Sequence, residues 1–193
     1  MKRSSFLILL TILLALSLSA QEKQQQEMSA EQKAWNEFMT PGDMHKMLGE
    51  TVGEWKIASK WWMYPDAEPE VSTGSAETTM IMGGRYQKSM HEGSSMGMPF
   101  EGMSIMGYDK AKDEFVAFWI DNMGTGFSLA TGKYDEEKKA LVMNGVMSDP
   151  VTKNDLKFKM VTTHKSKDES VMEMFMMQDD KEFKSMEMVF TRR

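Results

Sequence analysis

The apolar positions of this chain change period once. From Ala30 to Leu48 they recur at helical spacing; after Gly53 they alternate with polar positions and continue to do so. In the first stretch Trp35, Phe38 and Met39 fall on one side of a short helix. Ser29 stands where an N-cap belongs, and Gln32, three residues on, offers the capping-box partner. Thr40-Pro41 restarts the pattern, with Thr40 as the expected N-cap and Pro41 at the first helical position. Met44, Met47 and Leu48 then repeat at helical intervals up to Gly49.

The alternating stretch opens with Trp55, Ile57, Ser59 and Trp61 set against Lys56, Ala58, Lys60 and Trp62. Runs over 71–82 and 86–92 are joined by Gly83-Gly84, a hairpin signal. Runs over 100–108 and 114–121 follow, then 126–134 and 140–147, then 156–164, 170–178 and 183–191, joined by short charged turns. That makes about ten strands with no helix between them. The connections are too short for parallel crossovers, which need about a dozen residues. A long antiparallel meander buries one face and hides both edges by closing on itself. The predicted fold is therefore mainly β: an up-and-down meander closed into a barrel, preceded by a short helical segment. A two-sheet sandwich is the alternative, and the regular hairpin turns favour the barrel.

The N-terminus sets an expectation about compartment. Lys2 and Arg3 precede an apolar run from Phe6 to Leu16, and Ser17-Leu18-Ser19-Ala20 supplies small residues before Gln21. This is the order of a secretory signal peptide, and the run is shorter than the about 20 residues a membrane span needs. The expected organisation is a signal peptide over 1–20, a polar tether over 21–28, a helical segment over 29–52 and the barrel over 53–193. The expected location is the periplasm or the extracellular medium, with no membrane span after cleavage.

Composition narrows the partners. The formal net charge is −6, and loss of the signal with its two cations takes it to −8. An acidic chain without a basic face is a poor match for nucleic acid or an anionic membrane. There is no cysteine, so no disulfide framework supports the fold.

Certain residues carry a family resemblance. Gly53-Glu54-Trp55, after a short helix and opening the first strand, resembles the Gly-x-Trp signature of lipocalins and the wider calycin group. That resemblance implies that Trp55 closes one barrel end and that a basic residue of the last strand, here Arg192 or Arg193, packs over it. A longer set runs in order through the chain: Thr40-Pro41-Gly42-Asp43-Met44-His45-Lys46-Met47-Leu48, Gly53-Glu54-Trp55, Gly83-Gly84-Arg85-Tyr86, Pro99-Phe100-Glu101-Gly102, Gly107-Tyr108-Asp109, Trp119-Ile120-Asp121 and Ser148-Asp149-Pro150. It resembles the domain of unknown function 1579 (DUF1579), found in bacterial secreted proteins. The resemblance implies a lipocalin-like barrel and brings no reaction with it.

Candidate chemistry is sparse. There is no P-loop, dinucleotide fingerprint or G-x-S-x-G elbow, and no cofactor or resident metal is expected. His45, His91 and His164 are far apart in sequence. His45 reads as a helix residue anchored at the barrel rim, or as a polar group facing the cavity. Trp119 and Asp121 share a strand face, and an acid there pairs with Arg85 if both lie at one barrel end; the alternative is that Asp121-Asn122 starts a turn. His45, Arg85, Tyr108, Trp119 and Asp121 form the candidate ligand-binding set. The chain has 23 methionines. Met172, Met174 and Met176 share one strand face, and Met186 and Met188 share a face of the next. Such stripes read as core or adaptable cavity wall; thioethers converging on one open point would instead suit Cu(I) or Ag(I). Three functions are therefore weighed: a barrel binding a small apolar or amphipathic molecule, an enzyme or stress factor with His45 and Arg85 or Asp121 at the mouth, and a soft-metal binder.

Overall fold

The alternation after Gly53 builds ten antiparallel strands in the computed structural model, which describes residues 28–178 and 181–193. They are β1 (Gly53–Trp61), β2 (Glu70–Ile81), β3 (Tyr86–Ser95), β4 (Met98–Asp109), β5 (Glu114–Asp121), β6 (Ser128–Asp135), β7 (Ala140–Ser148), β8 (Asp155–Ser166), β9 (Glu169–Gln178) and β10 (Lys181–Arg192). Each pairs with its sequence neighbours, and β10 pairs with β1 from Trp55↔Arg192 to Trp61↔Met186. The sheet is a closed barrel. Closure leaves no unpaired edge, which removes the pressure toward edge-to-edge association. The expected signal peptide and nearly all of the expected tether lie outside the described residues.

Two helices precede the barrel: α1 (Ala30–Met39) and α2 (Asp43–Glu50). Two compact units divide between Thr40 and Pro41, so α1 belongs to the first and α2 to the barrel unit. In α1 the capping box forms, with Ser29 Oγ accepting from Gln32 N and Gln32 Oε1 accepting from Ser29 N. The start of α2 differs from expectation. Thr40 does not cap it; its hydroxyl donates back to Asn36 O at 2.7 Å, ending α1. Gly42 is the N-cap of α2, and its N–H donates to His45 Nδ1 at 3.1 Å. The hydroxyl of Thr40 closes the old helix rather than opening the new one. Among the described residues no helix is long and apolar enough to cross a membrane.

Helix α2 packs on β2, β3 and β4. Leu48 enters a core made with Phe115, Ala117, Ala130, Leu141, Met143 and Phe158. Gln87 Nε2 of β3 donates to Leu48 O at 2.7 Å and to Thr51 Oγ1 at 2.6 Å, holding the last turn of α2. That end carries the turns β2–β3, β4–β5, β6–β7 and β8–β9, the start of β1 and the end of β10. The far end carries the other loops.

Candidate functional site

The five candidate ligand residues divide between the two ends. His45, Arg85 and Tyr108 lie at the helix end. His45 is buried on α2, edge-on to the Tyr108 ring at 5.9 Å. Its Nδ1 is occupied by the Gly42 N–H, the anchoring role expected of a helix residue at the rim. Burial, with Lys110 and Arg85 nearby, pushes its pKa below the usual histidine value. The Tyr108 hydroxyl donates to Asp113, which also takes Lys133 Nζ at 2.9 Å; that bond pushes the phenol up to about 12. Arg85 Nη1 donates to Met82 O within its own turn at 3.2 Å.

Trp119 and Asp121 sit toward the far end of β5. The expected pairing of Asp121 with Arg85 does not form, because the β2–β3 turn and the end of β5 are at opposite ends of the barrel. Asp121 instead takes the Trp119 indole N–H at 2.7 Å on Oδ2, and the Met123 N–H at 2.9 Å on Oδ1. It both starts a turn and fixes the indole. Trp119 lies across Gly102, where a Cβ would come within 2.5 Å of the indole; only glycine lets the ring lie this close to the wall.

The residue the sequence reading passes over is His91. Alternation sets it inward on β3, opposite Ala76 and Gly102. It is 8% exposed, edge-on to Trp119 at 5.1 Å and to Phe190 at 6.2 Å. Its Nδ1 is buried and has no hydrogen-bond partner among the described residues, a costly state for a polar atom. His91 borders a narrow recess of about 30 Å³ that opens to solvent, with Ser59, Trp61, Ser72, Phe100 and Met188 among its walls. Ser59 and Ser72 hydroxyls bond each other at 2.7 Å. The period of β3 shows that His91 points inward. What sequence cannot carry is that its ring nitrogen lacks a partner, since that depends on which side chains β2, β4 and β10 bring beside it.

Burial holds the His91 pKa down at about 4. Above the ordinary histidine value of 6.5 the ring is neutral folded and unfolded, and the fold keeps its full stability. As pH falls from there toward 4, the unfolded chain takes a proton that the folded chain refuses, and stability declines. The expected loss between pH 7 and pH 5 is on the order of 2 kcal/mol. Urea unfolding at both pH values checks it. His45 and His164 are also shifted down by burial, so the comparison is with His91→Phe, whose smaller pH slope isolates His91. Equal slopes would show that His91 titrates normally.

At the helix end, Arg192 lies over the Trp55 ring with its guanidinium carbon 4.3 Å from the centroid. It donates to Val52 O at 2.7 Å, Glu50 O at 3.0 Å and Lys167 O at 3.0 and 3.2 Å. Gly53 adopts φ +137°, and a Cβ there would stand 2.6 Å from Arg192 Nη1. Trp55 Nε1 donates to Thr51 O at 2.9 Å. Arg193 lies 3.7 Å from Glu54 instead.

Comparison with known proteins agrees with this architecture. The crystal structure of Rv2717c from M. tuberculosis is similar, with a TM-score of 0.61 at 11% identity, covering 80% of this chain and 99% of that one; at that identity the likeness concerns the fold alone. No curated protein matches in sequence. Residues 40–192 match the family described as "Protein of unknown function (DUF1579)". With α2, the whole barrel and the Trp55–Arg192 closure inside the matched region, the chain belongs to the DUF1579 family.

Proposed function

We propose that this protein is an exported binding protein holding a small amphipathic molecule in the far end of its barrel. The observation that carries the reading is the buried, unpartnered Nδ1 of His91 beside a recess walled by aromatic, methionine and serine side chains. Ligand pockets are typically apolar with a few placed polar groups. A hydroxyl or amide on the ligand satisfies the ring nitrogen, and the ligand's apolar part lies against Trp61, Phe100 and Met188. The flexible Met188 and the partly exposed Trp61 adapt the recess to what enters. The acidic chain, at −8 after signal removal, turns away nucleic acid and anionic surfaces. The alternative of a reaction at the mouth is less supported: Arg85 lies near His45, but the His45 Nδ1 is engaged by the backbone and Asp121 is at the far end.

Native mass spectrometry on protein purified from its host's cell envelope tests both parts. The expected chain begins near Gln21 and carries an adduct of defined mass, which His91→Phe loses while its circular dichroism stays that of a β-barrel. A bare wild-type mass overturns the binding reading; an intact residue 1–20 segment overturns export.

A further inference from the structure

The methionine stripes of adjacent strands are in register. On the inner face Met174 of β9 stands between Met160 of β8 and Met186 of β10. Two residues along the strand, Met172 faces Met188. Met172, Met174, Met186 and Met188 thus mark the corners of a block two strands wide and two inward positions long. Directly paired Cβ atoms lie about 5 Å apart, and successive inward positions about 7 Å apart. Long unbranched side chains on a concave wall reach toward the same space, which a stripe on one strand does not show.

Two observations distinguish this block from ordinary packing. Met172, Met174 and Met188 face inward and keep part of their surface accessible, Met174 lying beside the main core and Met188 beside Trp55 and Ile57. Met188 also borders the recess at the far end, which gives the block a route to solvent. The chemistry then selects the occupant. Thioethers are soft, neutral donors that favour Cu(I). Because they cancel no charge, a monovalent ion enters at far lower desolvation cost than a divalent one. Among the described residues no three His, Cys, Asp or Glu side chains stand together as a competing harder site.

We propose that the methionine block of β9 and β10 binds one Cu(I) ion through its thioether sulfurs. The site shares Met188 with the recess but does not use the His91 nitrogen and does not require the recess to hold an organic molecule.

The test is anaerobic titration of the purified protein with Cu(I) against the chromophoric chelator bicinchoninate, with Zn(II) in parallel. One Cu(I) per chain is expected, and no Zn(II). The double variant Met174→Leu and Met186→Leu conserves volume, a change that cores tolerate, and is expected to weaken Cu(I) binding by at least about tenfold. Met96→Leu with Met98→Leu, at the exposed β3–β4 tip, leaves uptake unchanged. X-ray absorption of the loaded wild-type protein reads the ligands directly if the core variant fails to fold, and sulfur neighbours are expected. No stoichiometric uptake, a shell of nitrogen and oxygen, or uptake lost only in the tip variant overturns the proposal.

Discussion

Replacing Arg192 with alanine is expected to lower stability by about 3–5 kcal/mol, read as a fall in the urea midpoint at unchanged slope. The guanidinium satisfies carbonyls of Glu50, Val52 and Lys167 and covers the Trp55 ring. Hydrogen bonds to a charged donor are worth about 1.5–3 kcal/mol each, and cation–π stacking adds roughly 0.5–2, though such contributions do not sum. Those carbonyls belong to the end of α2, the start of β1 and the β8–β9 turn, so one side chain ties three segments. Arg192→Lys keeps the charge and loses the planar fork, and is expected to recover only part of the loss. Gly53→Ala disturbs the same contact from the other side. It destabilises the wild type both by its positive φ and by contact with Nη1; in the Arg192→Ala background only the backbone strain remains. A double-mutant cycle therefore shows less-than-additive loss, and additivity would mean that the two residues do not touch.

The second large effect is expected at Phe115, whose side chain has no exposure. Its ring lies 5.0 Å from that of Tyr108, which in turn meets His45 of α2. Phe115→Ala removes the lowest layer of this stack and leaves a cavity beneath the helix. The expected cost is about 3–5 kcal/mol. Because Leu48 packs into the same core, amide exchange should quicken over residues 43–50 before it does in the strands. Uniform quickening throughout the barrel would show that α2 and the sheet open as one unit.

Much of the fold is legible in the chain. The alternation gives all ten strands within a few residues of their observed bounds, because each strand has one face toward the interior and the period records that directly. The Gly83-Gly84 turn and the Ser29 cap are local devices whose chemistry does not depend on the rest of the molecule. The start of α2 is harder: Thr40 is an equally good partner for the helix behind it, and sequence does not say which helix it serves. The candidate site divides in the same way. Trp119 and Asp121 do share a face, as their spacing requires, but the Arg85 pairing depended on which barrel end each reaches. The alternation of β3 turns His91 inward but does not say what stands beside its ring nitrogen. Which methionines stand side by side depends on the register between strands, which a one-residue slip would reverse.

Arg192 and Val52 are 140 residues apart in sequence and hydrogen-bonded in the fold. The seam between β1 and β10 is thus the last contact that a growing chain can make. Until it forms, β1 and β10 each present an unpaired edge. A chain stopped before β10 has both edges left open, one at each side of a curved sheet, and its natural outcome is to find the missing strand in another molecule.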